Sequence, residues 1–237
     1  MNILVTGANR GLGYALTAEL LQRGHSVIAG VRGEAGQPSE RNRRLYDLAG
    51  AFPGRLQTAS LDVADETGIA EAAAAWKSSG IELDAIVNNA AILAGRETAI
   101  EQLDFADMAA SMEINLYGPM RIVKHCLPLF GDRAGCIVNI SSEAGSFTNA
   151  YGGDYPYALS KAALNMFSQQ LHRQLHARDI AVYAVHPGWI RTDMGGEQAP
   201  GDPEASARGI ADLIERRTVP APGPFVFIDY RGEAMPI

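Results

Sequence analysis

Cysteine is scarce. Cys126 and Cys136 are the only two in 237 residues. Two thiols make no disulfide framework and fit a reducing compartment, so both are expected as buried small hydrophobes rather than reactive groups. Long apolar runs are missing as well; none approaches the roughly 18 residues needed to cross a bilayer. The opening Ile3-Leu4-Val5 is too short for a secretory leader and runs straight into a turn. A cytoplasmic protein working away from membranes is the expectation. Basic charge is in deficit, with 20 Lys and Arg against 27 Asp and Glu and a net charge of −7. A protein that tracks nucleic-acid phosphates needs a basic face, so that class is excluded. Lysine is reduced to Lys77, Lys124 and Lys161. No linker rich in Pro, Gly or Ser divides the chain and no repeat appears, so one domain over residues 1–237 is expected.

Apolar residues are plentiful, at 47% against 20% charged, which excludes disorder as the overall state. Short β-branched runs alternate with stretches of helical period. The strands are expected at Asn2–Thr6, His25–Val31, Gly54–Leu61, Ala85–Asn88, Gly135–Ser141, Ile180–His186 and Phe225–Ile228. Most are almost continuously apolar, as strands covered on both faces must be. Helices are expected at Leu12–Arg23, Glu66–Lys77, Phe105–Phe130 with a kink near Pro119, Tyr157–Arg178 and Pro203–Arg217. That alternation predicts an α/β fold, a parallel sheet of about seven strands with helices on both faces. Gly195–Pro203 reads as a mobile loop over a site, and Arg41, Arg43 and Arg44 as a solvated helix face.

Three features carry chemistry. After the first strand, Thr6-Gly7-Ala8-Asn9-Arg10-Gly11-Leu12-Gly13 leads into a helix. Glycines let the backbone approach a ligand closely, and the helix start offers unpaired N–H groups to a pyrophosphate. After the second strand, Arg32 stands where NAD-binding folds usually carry a carboxylate for the ribose 2′-hydroxyl. Arg32, with Arg10 from the glycine turn, suits a 2′-phosphate and favours NADP(H) over NAD(H), although Glu34 nearby offers a carboxylate. Third, Tyr157 and Lys161 fall four residues apart on one helix face, where about 0.1 such pairs are expected by chance. A neighbouring ammonium, together with an oxidised nicotinamide, is expected to lower the phenol's pKa towards neutrality. Upstream, Ser141-Ser142 ends a strand at the carboxyl edge where open α/β sheets bind ligands, and one of these hydroxyls is placed to meet a substrate carbonyl. His172 and His176 have zinc-ligand spacing without a third ligand, so they read as solvated and no metal site is expected.

In register with these stand Asn88-Asn89-Ala90-Ala91, Asn115 and His186-Pro187-Gly188. The chain thereby resembles the short-chain dehydrogenase/reductase family over nearly its whole length. Ile3–Gly13 and His186–Gly196 are most similar to its C-factor and Sniffer-type carbonyl reductases. The resemblance implies a Rossmann-type doubly wound sheet and an NADPH-dependent enzyme reducing an aldehyde, ketone or quinone. It implies Tyr157 as general acid, Lys161 as its tuner and ribose ligand, Ser142 as carbonyl ligand, and Asn115 as the residue that kinks its helix and holds a relay water. Gly7, Asn9, Gly11, Leu12 and Gly13 would surround the pyrophosphate. Asp62 and Val63 would meet the adenine, Asn88 and Ala90 the adenosine, and Pro187, Gly188, Ile190 and Thr192 the nicotinamide. His186 would be structural, and Trp189 a substrate wall or a loop anchor. A homodimer or homotetramer is the implied assembly. Two departures stand out: Ala91 replaces the usual glycine, and 15 residues separate Ser142 from Tyr157 where many relatives have 13, which leaves Ser141 as an alternative. The competing reading is a dinucleotide-binding signalling protein of C-factor type with little turnover.

Overall fold

The computed structural model describes residues 1–33 and 42–237. The strands are β1 (Asn2–Thr6), β2 (Ser26–Val31), β3 (Leu56–Ser60), β4 (Ala85–Asn88), β5 (Gly135–Ile140), β6 (Ile180–His186) and β7 (Phe227–Asp229). All pair in parallel, in the order β3-β2-β1-β4-β5-β6-β7. The chain therefore winds outward one way from β1 and then the other way from β4. Between those two strands the carboxyl ends open into a crevice, the place where such sheets bind ligands.

Every residue of β4 and β5 is buried, which explains their largely apolar character, broken only by Asn88 and Asn139. Side-chain alternation divides the core. Ile3 and Val5 pack on one face with Leu16 and Leu20 of α1 (Gly11–Gln22) and Ile210 and Ile214 of α7 (Pro203–Ile214). Leu4, Ile86 and Ile137 pack on the other with Ile69 and Trp76 of α3 (Glu66–Ser78), Ile122 of α5 (Gly118–Cys126) and Leu171 of α6 (Tyr155–Leu175). Cys126 and Cys136 lie in these two cores, and burial pushes both thiols up to about 12.

Several expected boundaries move. β7 starts two residues late because the Val226 N–H is taken by the Gln169 side chain at 2.9 Å. The helix α2 (Arg43–Ala51) forms where only an arginine-bearing face was expected. Helix α6 begins at Tyr155, with Pro156 in its first turn, and tightens into a 3₁₀ turn at His176–Arg178. The single helix expected over Phe105–Phe130 is broken into α4 (Phe105–Met112), a π-helical turn over Glu113–Tyr117, then α5 and a 3₁₀ turn at Leu127–Leu129. The Gly118 N–H reaches back five residues to the Glu113 carbonyl. Pro119 has no N–H to offer the Asn115 carbonyl four residues behind it, so the irregularity precedes the proline.

Candidate active site

The crevice is a cleft of about 1470 Å³ running across the carboxyl ends of the strands. At its centre, Gly7 and Gly11 adopt φ of 65° and 51°, conformations that glycine takes without strain. A Cβ on Gly7 would sit 3.0 Å from the Ala90 Cα. The α1 N-terminus has no side-chain cap and no acidic residue in its first turn, leaving its N–H groups to an anion. Asn89 clamps the turn: its Nδ2 donates to the Thr6 and Gly7 carbonyls, while the Thr6 hydroxyl accepts from the Asn89 and Ala90 amides. Gly7, Asn9, Arg10, Gly11, Leu12 and Ala90 line the cleft. Gly13 and Asn88 do not. A Cβ on Gly13 would fall 2.3 Å from the Gly7 carbonyl oxygen, so that glycine serves the packing of α1 against the turn. Asn88 is buried inside the sheet and donates through Nδ2 to Asn139 Oδ1 at 2.8 Å, and Asn139 Nδ2 in turn donates to Ser168 Oγ.

At one end, Arg32, Asp62 and Val63 line the wall as expected from their strand ends. Arg44 joins them. It is exposed, as Arg43 is and as a solvated face implies, but its guanidinium lies 4.3 Å from the centre of the Tyr14 ring and lines the cleft. Asn42 accepts from Asn9 Nδ2 at 3.1 Å and lines the same wall. Glu34 and Arg41 lie outside the described residues. Arg10 points elsewhere than expected: it pairs with Asp193 at 2.9 Å, spanning from the glycine turn to the loop after β6. The expected mobile loop there is pinned, since Arg191 N–H donates to the Gly201 carbonyl, Gly201 N–H to Trp189, and the Arg191 guanidinium to the Ala199 and Pro200 carbonyls. Pro187, Gly188, Ile190 and Thr192 line the cleft between β6 and this loop. Trp189 both anchors the loop, through Nε1 to the Gly195 carbonyl, and lines the cleft.

At the other end, Tyr157, Lys161 and Ser142 come together. Successive residues after β5 face opposite ways, which separates the two serines. The Ser141 hydroxyl points inward and donates to Asn165 Oδ1. The Ser142 hydroxyl accepts from the Ala144 amide at 3.2 Å and hydrogen-bonds the Tyr157 phenol. Lys161 is buried, its Nζ 5.5 Å from the centre of the Tyr157 ring and donating to the Ile140 carbonyl at 2.7 Å. Within the chain alone, the phenol shifts upward, where a downward shift is expected with an oxidised nicotinamide beside it. Burial pushes the phenol up to about 12, with the Ser142 hydrogen bond opposing it, and burial pulls the lysine down to about 7. Within the chain's own field the phenol is firmly protonated, and the amine titrates near neutrality.

Asn115 does not line the cleft. Its side chain bonds both backbone groups of Ile92, at 2.9 and 3.0 Å, and donates to Ser160 Oγ, tying the π turn to the segment after β4 and to α6. His186 accepts from the Glu143 amide through Nδ1, at 3.3 Å. His172 and His176 meet edge to face, far from this cleft in the fold, on α6 and the turn after it. Among the lining groups that escape the sequence reading as ligand-facing are Arg44, Asn42 and Arg96. The first two depend on how α2 docks, and Arg96 follows Ala91 at the same sheet edge, which was its only signal.

A family model described as short chain dehydrogenase matches residues 1–202. The chain belongs to that family. It is 30% identical over 233 residues to a 1-hydroxy-2-glutathionyl-2-methyl-3-butene dehydrogenase of Rhodococcus sp. (strain AD45), covering 96% of each chain. It is 36% identical over 158 residues to the C-signal protein of Myxococcus xanthus, covering 65% of this chain and 92% of that one. It is 32% identical over 204 residues to the NADP-dependent 3-hydroxy acid dehydrogenase YdfG of Escherichia coli (strain K12), covering 85% and 78%. Among solved structures, the NADPH-bound carbonyl reductase from chicken fatty liver superposes with a TM-score of 0.85 at 29% identity, covering 100% of this chain and 98% of that one. A short-chain dehydrogenase/reductase from Burkholderia multivorans with bound NADP does so with 0.86 at 32%, covering 100% and 99%.

Proposed function

We propose that this chain reduces a carbonyl compound (an aldehyde, ketone or quinone) to an alcohol, using NADP(H) in preference to NAD(H). The observation that carries the reading is the protonated Tyr157 phenol, held by the Ser142 hydroxyl beside buried Lys161 in a cleft that opens at the sheet's switch point. The residues present fit a dinucleotide: the glycine turn is a cradle that a Cβ would fill, and Arg32 and Arg44 offer cations at the adenosine end. NADPH-bound and NADP-dependent relatives agree with that preference.

When bound, the reduced dinucleotide supplies a hydride to the carbonyl carbon. Tyr157 gives its Oη proton to the carbonyl oxygen as negative charge develops there. The Ser142 hydroxyl steadies the phenolate that forms, and its position beside Tyr157 aligns the oxygen. Lys161, titrating near 7, is suited to return a proton to the phenolate. The Asn115 carbonyl lacks its usual i+4 donor, because Pro119 has no N–H, and is suited to accept from a relay water. NADPH oxidation measured against aldehydes, ketones and quinones tests this directly, and absence of turnover with intact NADPH binding would overturn it. That outcome would favour the second reading, a dinucleotide-binding signalling protein, which the likeness to C-signal supports. Leu159 and Met166, exposed on α6, support assembly as a homodimer or homotetramer, which sedimentation would read.

A further inference from the structure

Arg96 lies in the wall of the cleft and is only loosely engaged among the described residues. Its side chain is 52% exposed, and its single ion pair among the described residues is a loose one, 3.8 Å to Glu97, whose own carboxylate is 86% exposed. The backbone on its far side is tied down twice. The Glu97 N–H donates to Asp154 Oδ1 at 2.9 Å and the Thr98 N–H to the Gly153 carbonyl at 2.9 Å. Gly95 and Glu97, flanking it, both take positive φ, at 61° and 55°. Left-handed backbone at Glu97 is a cost met by these bonds, and it clasps the arginine's loop onto the segment just ahead of Tyr157.

The other charges at this end are already engaged. Lys161 donates to the Ile140 carbonyl, and burial holds His186 below the usual imidazole range. Both oxygens of Asp154 are occupied, by the Glu97 amide and the Tyr151 hydroxyl. Glu143 stands by His186 and Tyr151 and adds negative charge, and Arg96 acts on the same Tyr151 phenol. Apolar surface between comes from Ile92, Leu93 and Trp189.

Resting on the carbonyl-reductase reading above, we propose that Arg96 is a specificity-determining residue that binds a carboxylate, so that the preferred substrates are oxo acids with an apolar body. The planar guanidinium matches a carboxylate with two parallel hydrogen bonds, and in an acidic protein such a group selects an anion that the rest of the surface does not attract.

The test compares a series of oxo acids of increasing chain length with their methyl esters, by NADPH oxidation. The wild type is expected to prefer the best acid over its ester by at least about tenfold in kcat/KM. Arg96→Gln should lower kcat/KM for the acid by about 10- to 100-fold, mainly through KM, and leave the ester and the NADPH Kd unchanged. Arg96→Lys should recover part of the preference. Equal handling of acid and ester by the wild type, or an equal loss on both in Arg96→Gln, would overturn the proposal. If no carbonyl compound is turned over, calorimetric titration of the matching hydroxy acids into the protein–NADP⁺ complex decides it separately. Binding lost on Arg96→Gln sustains the proposal while the reductase reading fails, and binding absent or indifferent to the substitution ends it.

Discussion

The two ends of the cleft are built from different materials. At the glycine turn and the adenosine wall, the ligand would meet main-chain N–H groups and two guanidinium groups close to solvent. The geometry there is set by hydrogen bonds between backbone segments: Thr6, Gly7, Asn89 and Ala90 lock one another. At the Tyr157 end the working groups are side chains, and burial decides their protonation. The first end is indifferent to small changes in dielectric, because amides do not titrate. The second is governed by them. One cleft thus combines a site that recognises shape and charge with a site whose chemistry depends on exclusion of water.

Substitutions separate the ends, and the largest effect belongs to the buried one. Tyr157→Phe should lower kcat by about 10³-fold or more while leaving NADPH affinity intact, as fluorescence titration would show; retained turnover would dissolve the distinction. Arg32→Asp attacks the opposite end. It should weaken NADPH by about 10- to 100-fold and spare NADH, with Arg44→Ala giving a smaller loss in the same direction; kcat/KM for both cofactors is the readout.

Two smaller effects sharpen the contrast through stability. Lys161 has a folded-state pKa near 7 against an ordinary value of 10.5, so folding must carry a buried ammonium below pH 7 and is relieved of it as pH rises. Relative to Lys161→Met, the wild type should gain stability between pH 7 and about 10.5, by on the order of 5 kcal/mol at most; denaturant melts across that range would show it, and a constant difference would refute the burial argument. Gly13→Ala pushes a methyl group into the Gly7 carbonyl and should cost about 1–3 kcal/mol, seen as a lower Tm together with weaker NADPH binding.

Much of this was legible in the chain itself. Strands buried on both faces leave largely apolar runs, which is why β4, β5 and β6 fell where expected. The glycine turn, Ser142, Tyr157 and Lys161 are close in sequence to strand ends or share a helix face, and periodicity alone carries them to the cleft. What stayed hidden depends on tertiary placement. Helix α2 spans nine residues and buries only Leu45, so it gave a short signal, and Arg44 reaches the wall only because α2 docks beside Tyr14. Arg10 had a plausible phosphate ahead of it, yet Asp193 arrives from 183 residues away to pair with it. An i, i+4 spacing reports proximity and says little of how dry the neighbourhood is, so the burial that raises the Tyr157 phenol and lowers Lys161 left little signal in the sequence.

The amide chain from Asn88 through Asn139 to Ser168 has a consequence for change over time. Asn88 and Asn139 are register partners on β4 and β5. Sliding either strand by one position would strand these amides among aliphatic groups and break two buried bonds. The floor of the cleft is thereby locked in depth, and novelty is diverted to its rim. Change in the rim can then try a new substrate while the strands beneath hold their register.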